Sequence, residues 1–271
     1  MAITTVDGVL AGAQPNRFFH KAITPTMVIA RPQSLWGLGG IPGAGSFDTT
    51  LDGVTLSSTS ALVNGQLPFY DPASGQTYLS RFSAHYTAGG GFIWLADRIW
   101  HNGGFTITSN AAQSITSPAW PSRDEDGATA GKGVLLGLEI SAVAGAAAPT
   151  ITVSYTNSDN TSGRSATNTF ATANSPTAGA FFPIGLQAGD RGVKSVQSLT
   201  LSTSWVSGTM NLVAYRIIAG VDLAAGSAGQ VIDVLTGNMS KMYAGTVPFL
   251  ILAPSATTAG YVSGHLGVTQ G

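Results

Sequence analysis

The densest group of chemistry-capable side chains in this 271-residue chain is Asp97, Arg98 and His101, set beside Trp94 and Trp100. A carboxylate and an imidazole within reach of each other can work as a general acid–base pair. On an extended strand, residues four apart share a face, so the spacing places Asp97 with His101 and turns Arg98 to the other side. The same residues also suit a buried ion pair or a subunit contact, which is the expectation here. The second group is Trp120-Pro121 followed by Arg123-Asp124-Glu125-Asp126-Gly127, the most acidic run of the chain. Asp124 and Asp126 alternate as calcium-loop ligands do. Such a loop also needs a carboxylate at its twelfth position, and that position is Leu135. A solvated loop, or an anchor for a basic patch on a partner, is expected instead, and no metal.

Other motifs are decoys. Gly37-Leu38-Gly39-Gly40-Ile41-Pro42-Gly43 has no following Lys-Ser or Lys-Thr and no helical pattern after it. Gly127-Ala128-Thr129-Ala130-Gly131-Lys132-Gly133 ends in Gly where a phosphate loop needs a hydroxyl. The four histidines, 20, 85, 101 and 265, have no short ligand spacing. There is no Gly-x-Ser-x-Gly elbow or Ser-x-x-Lys motif, and no cysteine for a thiolate site or a disulfide. No catalytic residue, cofactor or enzymatic activity is expected. Asn160-Thr161-Ser162 and Asn238-Met239-Ser240 match the glycosylation acceptor pattern, which means little without a secretory signal.

The elements that must position these groups read as β-strands. Between Val134 and Ile218, Val134, Leu136, Leu138 and Ile140 alternate with Leu135, Gly137, Glu139 and Ser141, and Ile151, Val153 and Tyr155 alternate with threonines and Ser154. Period-two alternation sends one set to a core and the other to a surface. Around Tyr78 to Thr87, Tyr78, Phe82, Ala84 and Tyr86 take one face and Arg81, Ser83, His85 and Thr87 the other. Phe92-Ile93-Trp94-Leu95-Ala96 is apolar on both faces, as a central strand would be. Asn102-Gly103-Gly104 has hairpin chemistry leading into a strand from Phe105. Further strands are expected at 193–201, 210–218, 247–252 and 261–269, and one short helix capped by Ser227 and stopped by Gly237. Asp71-Pro72-Ala73-Ser74-Gly75 is a turn signature. Residues 1–75, punctuated by six prolines, read as a Pro/Gly-rich extended N-terminal arm, and 76–271 as the body. The expected fold class is all-β: an antiparallel β-sandwich or jelly roll with an irregular N-terminal arm and at most one short helix.

Charged residues make up only 9% of the chain, with 12 Lys and Arg against 13 Asp and Glu. Without a basic run there is no footprint for nucleic acid. The first residues lack a basic, apolar leader, and the longest apolar stretch holds Glu139, so neither a signal peptide nor a membrane partner is expected. So few charges protect a monomer poorly against self-association, which points to a homo-oligomer.

In texture the chain resembles structural proteins of tailed-bacteriophage virions: a Met-Ala start, no cysteine, few charges and Gly/Ala/Thr-rich β segments. The resemblance is strongest from Trp100-His101-Asn102-Gly103-Gly104-Phe105 through Trp120-Pro121 to Tyr215-Arg216, and again at Val268-Thr269-Gln270-Gly271. It carries no functional residues across. It implies a virion component made in the host cytoplasm: first a capsid decoration (cement) or minor capsid protein bound to the major capsid protein, second a tail or fibre protein. A trimer is expected by analogy with decoration proteins at capsid threefold positions. A carbohydrate-binding β-sandwich is the alternative of a different class, since Trp rings can stack on sugars. Trp100, His101, Trp120, Asp124 and Asp126 are the residues nominated for an interface or a ligand.

Overall fold

The computed structural model describes residues 3–58, 63–72, 74–169, 176–224, 229–237 and 239–271. It is all-β: the described residues hold antiparallel strands and one short helix. The helix is α1 (Val6–Ala11). The first strands are β1 (Arg17–Ile23), β2 (Gln33–Ser34), β3 (Gly40–Ile41), β4 (Val54–Thr55), β5 (Thr77–Tyr86) and β6 (Gly91–His101). β7 (Gln113–Ser114), β8 (Leu135–Ala142), β9 (Thr150–Asn157), β10 (Arg164–Thr169), β11 (Phe181–Ile184) and β12 (Val193–Leu201) follow. The chain continues through β13 (Thr209–Leu223), β14 (Gln230–Asp233), β15 (Lys241–Met242), β16 (Pro248–Pro254) and β17 (Gly260–Gln270).

Contacts divide the chain into two units, one of residues 1–45, 57–97 and 217–271, the other of 46–56 and 98–216. The boundaries at 97 and 216 fall inside β6 and β13. In the first unit the sheet order is β14-β5-β17-β1-β3, with β15 also on β5. All its pairings are antiparallel, and β1 pairs along its whole length with β17. β16 runs beside the first part of β6. Their inward side chains share one core, including Phe19, Ile23, Phe82, Ile93, Leu95, Leu250, Leu252 and Leu266. In the second unit the order is β10-β9-β12-β7 in one sheet, while β11, β8 and the start of β13 run together in another. Ile151, Val153 and Tyr155 of β9 face Leu136, Leu138 and Ile140 of β8 across a separate core. Each unit is thus a sandwich made by the alternation read from the sequence.

The described residues of 1–75, expected as an irregular arm, hold α1, one seven-residue strand, β1, and three two-residue strands. Lys21 of β1 is buried, and its ammonium donates to the carbonyls of Leu38, Pro42 and Gly43 at 2.5, 3.0 and 3.2 Å. Three charge-assisted bonds tie the 38–43 loop to the sheet.

Several local expectations differ from the structure; in β5 it is Leu79, not Tyr78, that joins Phe82, Ala84 and Tyr86 in the core, across a register shift against β17. The expected helix is absent: residues 230–233 form β14 on the edge of β5, and Asp233 then closes a turn by accepting from the amides of Leu235 and Thr236. The β-branched Val231 and Ile232 fit a pleated edge better than an isolated helical turn. Its proposed cap, Ser227, lies outside the described residues, as do Ala73 of the Asp-Pro turn and Asn238 of the second acceptor pattern. The helix that does form, α1, carries a Thr5 cap whose hydroxyl accepts from the Gly8 amide at 3.1 Å. No strand follows at Phe105, and no tight hairpin forms at 102–104. Asn102 is held from elsewhere, its side chain donating to the Leu51 carbonyl at 2.6 Å and accepting from the Leu212 amide at 3.1 Å. Gly103 packs so closely on the Asp48 carbonyl that a β-carbon there would overlap it.

Candidate functional site

The nominated residues all lie in the second unit. Trp100 and Trp120 belong to its core, their rings 5.4 Å apart. The Trp120 indole donates to the Val193 carbonyl at 2.6 Å and the Trp100 indole to the Asp52 carbonyl at 3.0 Å. Both ring systems and their polar handles are therefore used internally.

His101 takes Arg98 as a partner. Ile99 and Trp100, neighbours in sequence, both enter the same core, so the alternation of β6 breaks between them. That break brings Arg98 and His101, three apart, to one side. Arg98 donates Nε–H to His101 Nδ1 at 3.1 Å and lies 2.6 Å from Glu139 Oε2 on β8. His101 Nδ1 is an acceptor here, so the ring proton of the neutral imidazole sits on Nε2. Burial, and then the Arg98 cation, push its pKa down to about 2. Burial also works against the charge of Arg98, and Glu139 offsets that. Asp97, in the first unit, accepts from the Val247 amide at 2.9 Å. The polar line extends along the backbone: Arg123 donates to the Arg98 carbonyl, and Arg216 to the Arg123 carbonyl at 2.9 Å. An imidazole held neutral against a buried guanidinium can orient and stabilise the strands that carry the pair.

Asp124 is buried, and its carboxylate accepts backbone amides of Asp126, Ala128, Gly131 and Lys132 at 3.0, 2.7, 3.0 and 3.3 Å. Oxygens already filled by N–H donors organise a loop; a metal ligand needs them free. Asp126 is exposed and pairs with Lys132 at 3.1 Å. The nominated set therefore divides into four enclosed residues and one at the surface.

Two arrangements were missed in the sequence. Tyr155, Asn157 and Arg164 all converge on Asp190, at 2.5, 2.7 and 2.9 Å. These bonds, that of Arg164 first, hold the Asp190 carboxyl down at a pKa of about 2. This cluster ties the 187–190 turn to β9 and β10. The other arrangement lies on the outer face of the first unit's sheet. Pairing of β1, β17 and β5 places Phe18 opposite His265 and His265 opposite Ser83. In the next row His20 lies opposite Ser263 and Ser263 opposite His85. Three of the four histidines thus share one face although nothing in their sequence spacing joins them. Phe18 and His265 rings lie 5.6 Å apart, and His20 stacks on Tyr261 at 4.7 Å. A concavity of about 340 Å³ opens there, floored by β5 and β17 and walled by Phe18, Arg81, His85 and Val231.

No family model matches the chain, and no curated protein does. Among solved structures, an infectious bursal disease virus VP2 subviral particle aligns at 12% identity over 98% of this chain and 83% of that one, with a TM-score of 0.21. The T=1 particles derived from that virus align at 10% identity over 96% and 79%, with a TM-score of 0.19. At these TM-scores the likeness carries no statement about fold or function.

Proposed function

We propose that this chain is a non-enzymatic structural component of a bacteriophage virion, a capsid decoration or minor capsid protein that binds the major capsid protein and acts as a homo-oligomer, as a trimer. The observation that supports the non-enzymatic part is the enclosure of the acid–base group and of the carboxylate singled out from the sequence. Arg98, His101, Glu139 and Asp124 are each no more than 3% exposed, and each is hydrogen-bonded to another member or to backbone. Support for the virion comes from the phage-like texture of the sequence and from its low charge, which suits a wide, low-charge contact face repeated over a shell.

Mass spectrometry and imaging of purified particles test this. The chain should be present in stoichiometric copy number on the head. Density on the tail would move the assignment to a tail or fibre protein, and absence from the particle would overturn it. Light scattering on the purified chain tests the oligomer, and a soluble monomer at high concentration would remove that part.

A further inference from the structure

We propose that the concavity on the outer sheet face of the first unit binds a neutral saccharide, with Phe18 and His265 as a ring platform. The inference does not rest on the virion reading. Sugar recognition combines an apolar ring face, which takes the C–H side of a pyranose, with a few fixed polar groups that take its hydroxyls. Phe18 is 45% exposed, in a β-sheet whose opposite face is core. Its ring is flanked by His265 on the paired strand and by His20 at 6.3 Å, and His20 is itself stacked on Tyr261. Such mutual packing fixes the rings in advance, so little rotamer freedom remains to be lost when a ligand arrives.

Polar groups surround the rings. The Ser83 hydroxyl accepts from the His265 amide at 3.2 Å, and Ser263 is held by His20 Nδ1 at 2.7 Å. His85 and Gln230 add an imidazole and a carboxamide to the wall. Arg81 lies opposite Asp233 on β14, whose carboxyl is held down first by the Leu235 amide and then by Thr236, with Arg81 the last contributor. Hydroxyl and carboxamide groups beside exposed rings suit the hydroxyls and the C–H face of a sugar. A volume of about 340 Å³ lies at the lower end of small-ligand sites.

The test is saturation-transfer NMR on the full chain, with maltotriose, chitotriose and galactose as probes at millimolar concentration. At least one probe should receive transfer. Phe18→Ala should weaken it by about tenfold, equivalent to about 1.4 kcal/mol. Phe18→Leu, which keeps an apolar side chain and removes the ring, should do the same with an unchanged near-ultraviolet dichroism spectrum. Val206→Ala, at an exposed site of the other unit, should leave the signal intact. No transfer from any probe overturns the proposal, as does transfer that persists in Phe18→Leu. Sedimentation velocity closes the remaining route. If Phe18→Ala shrinks an oligomer while no probe binds, the face is a contact between copies and the saccharide is excluded.

Discussion

Replacing Glu139 by Gln should be strongly damaging to the second unit. Arg98 and Glu139 are both fully enclosed, with Nη2 and Oε2 2.6 Å apart. Removing one member leaves the other charge buried beside a neutral imidazole, at a cost of roughly 3–5 kcal/mol. At about 2–4 °C per kcal/mol this lowers the midpoint of the second unit by roughly 6–20 °C. Arg98→Met should fall in the same range. The double variant Arg98→Met/Glu139→Leu removes both charges together and should return to within about 1 kcal/mol of the parent, or exceed it. The cycle is read by urea unfolding, followed by tryptophan fluorescence. Trp100, Trp120 and Trp205 all lie in the core of this unit and report on it. A loss below about 1 kcal/mol in Glu139→Gln, or a double variant as unstable as the sum of the singles, would refute the reasoning.

The remaining expectations are smaller. His101 has a folded pKa of about 2 against an ordinary value of 6.5, so the unfolded chain binds more protons between these limits. Stability should fall as pH drops through that window, with His101 contributing at most about 1.4 kcal/mol per pH unit. The difference from His101→Gln in urea titrations isolates it. Asp124→Asn should cost about 2–3 kcal/mol through lost charge-assisted bonds, while Asp126→Asn at an exposed pair should change stability by less than about 1 kcal/mol. Calorimetry checks both, and calcium should leave the parent curve unmoved. Burial lowers the Lys21 pKa from 10.5 to about 8. The unfolded chain then holds more protons between those values, and stability should rise with pH across them. Lys21→Met should abolish that rise in pH-dependent thermal melts.

Strands were legible wherever alternation is a local property. Thr150–Asn157 follows its alternation residue by residue, and the unbroken apolar run of Pro248–Pro254 is a strand buried along almost its whole length. What could not be read locally was set by partners distant in sequence. Asn102 is fixed by Leu51 and Leu212, so its glycine-rich neighbours never close a hairpin. The face that gathers His20, His85 and His265 exists only because β1 finds β17. Glu139 left a signal that went unused. A lone carboxylate on an apolar strand needs a cation, and Arg98 is the lone cation of the apolar strand β6. The interrupted alternation at Ile99 and Trp100 had no such mark, since both residues suit either face.

The pairing of β1 with β17 has a consequence for how the protein comes into being. His20 and Ser263 touch across 243 residues of chain, and β17 also supplies the long partner of β5. During synthesis the segments of the second unit leave the ribosome well before β17 is made. They can close their own core first, while β1 and β5 wait with open edges. The slow, sequence-distant step is then the capture of β17 between two strands already present. A nascent chain stalled before residue 260 would carry a finished second sandwich and an unfinished first one. Its unsatisfied strand edges would be a natural target for chaperones.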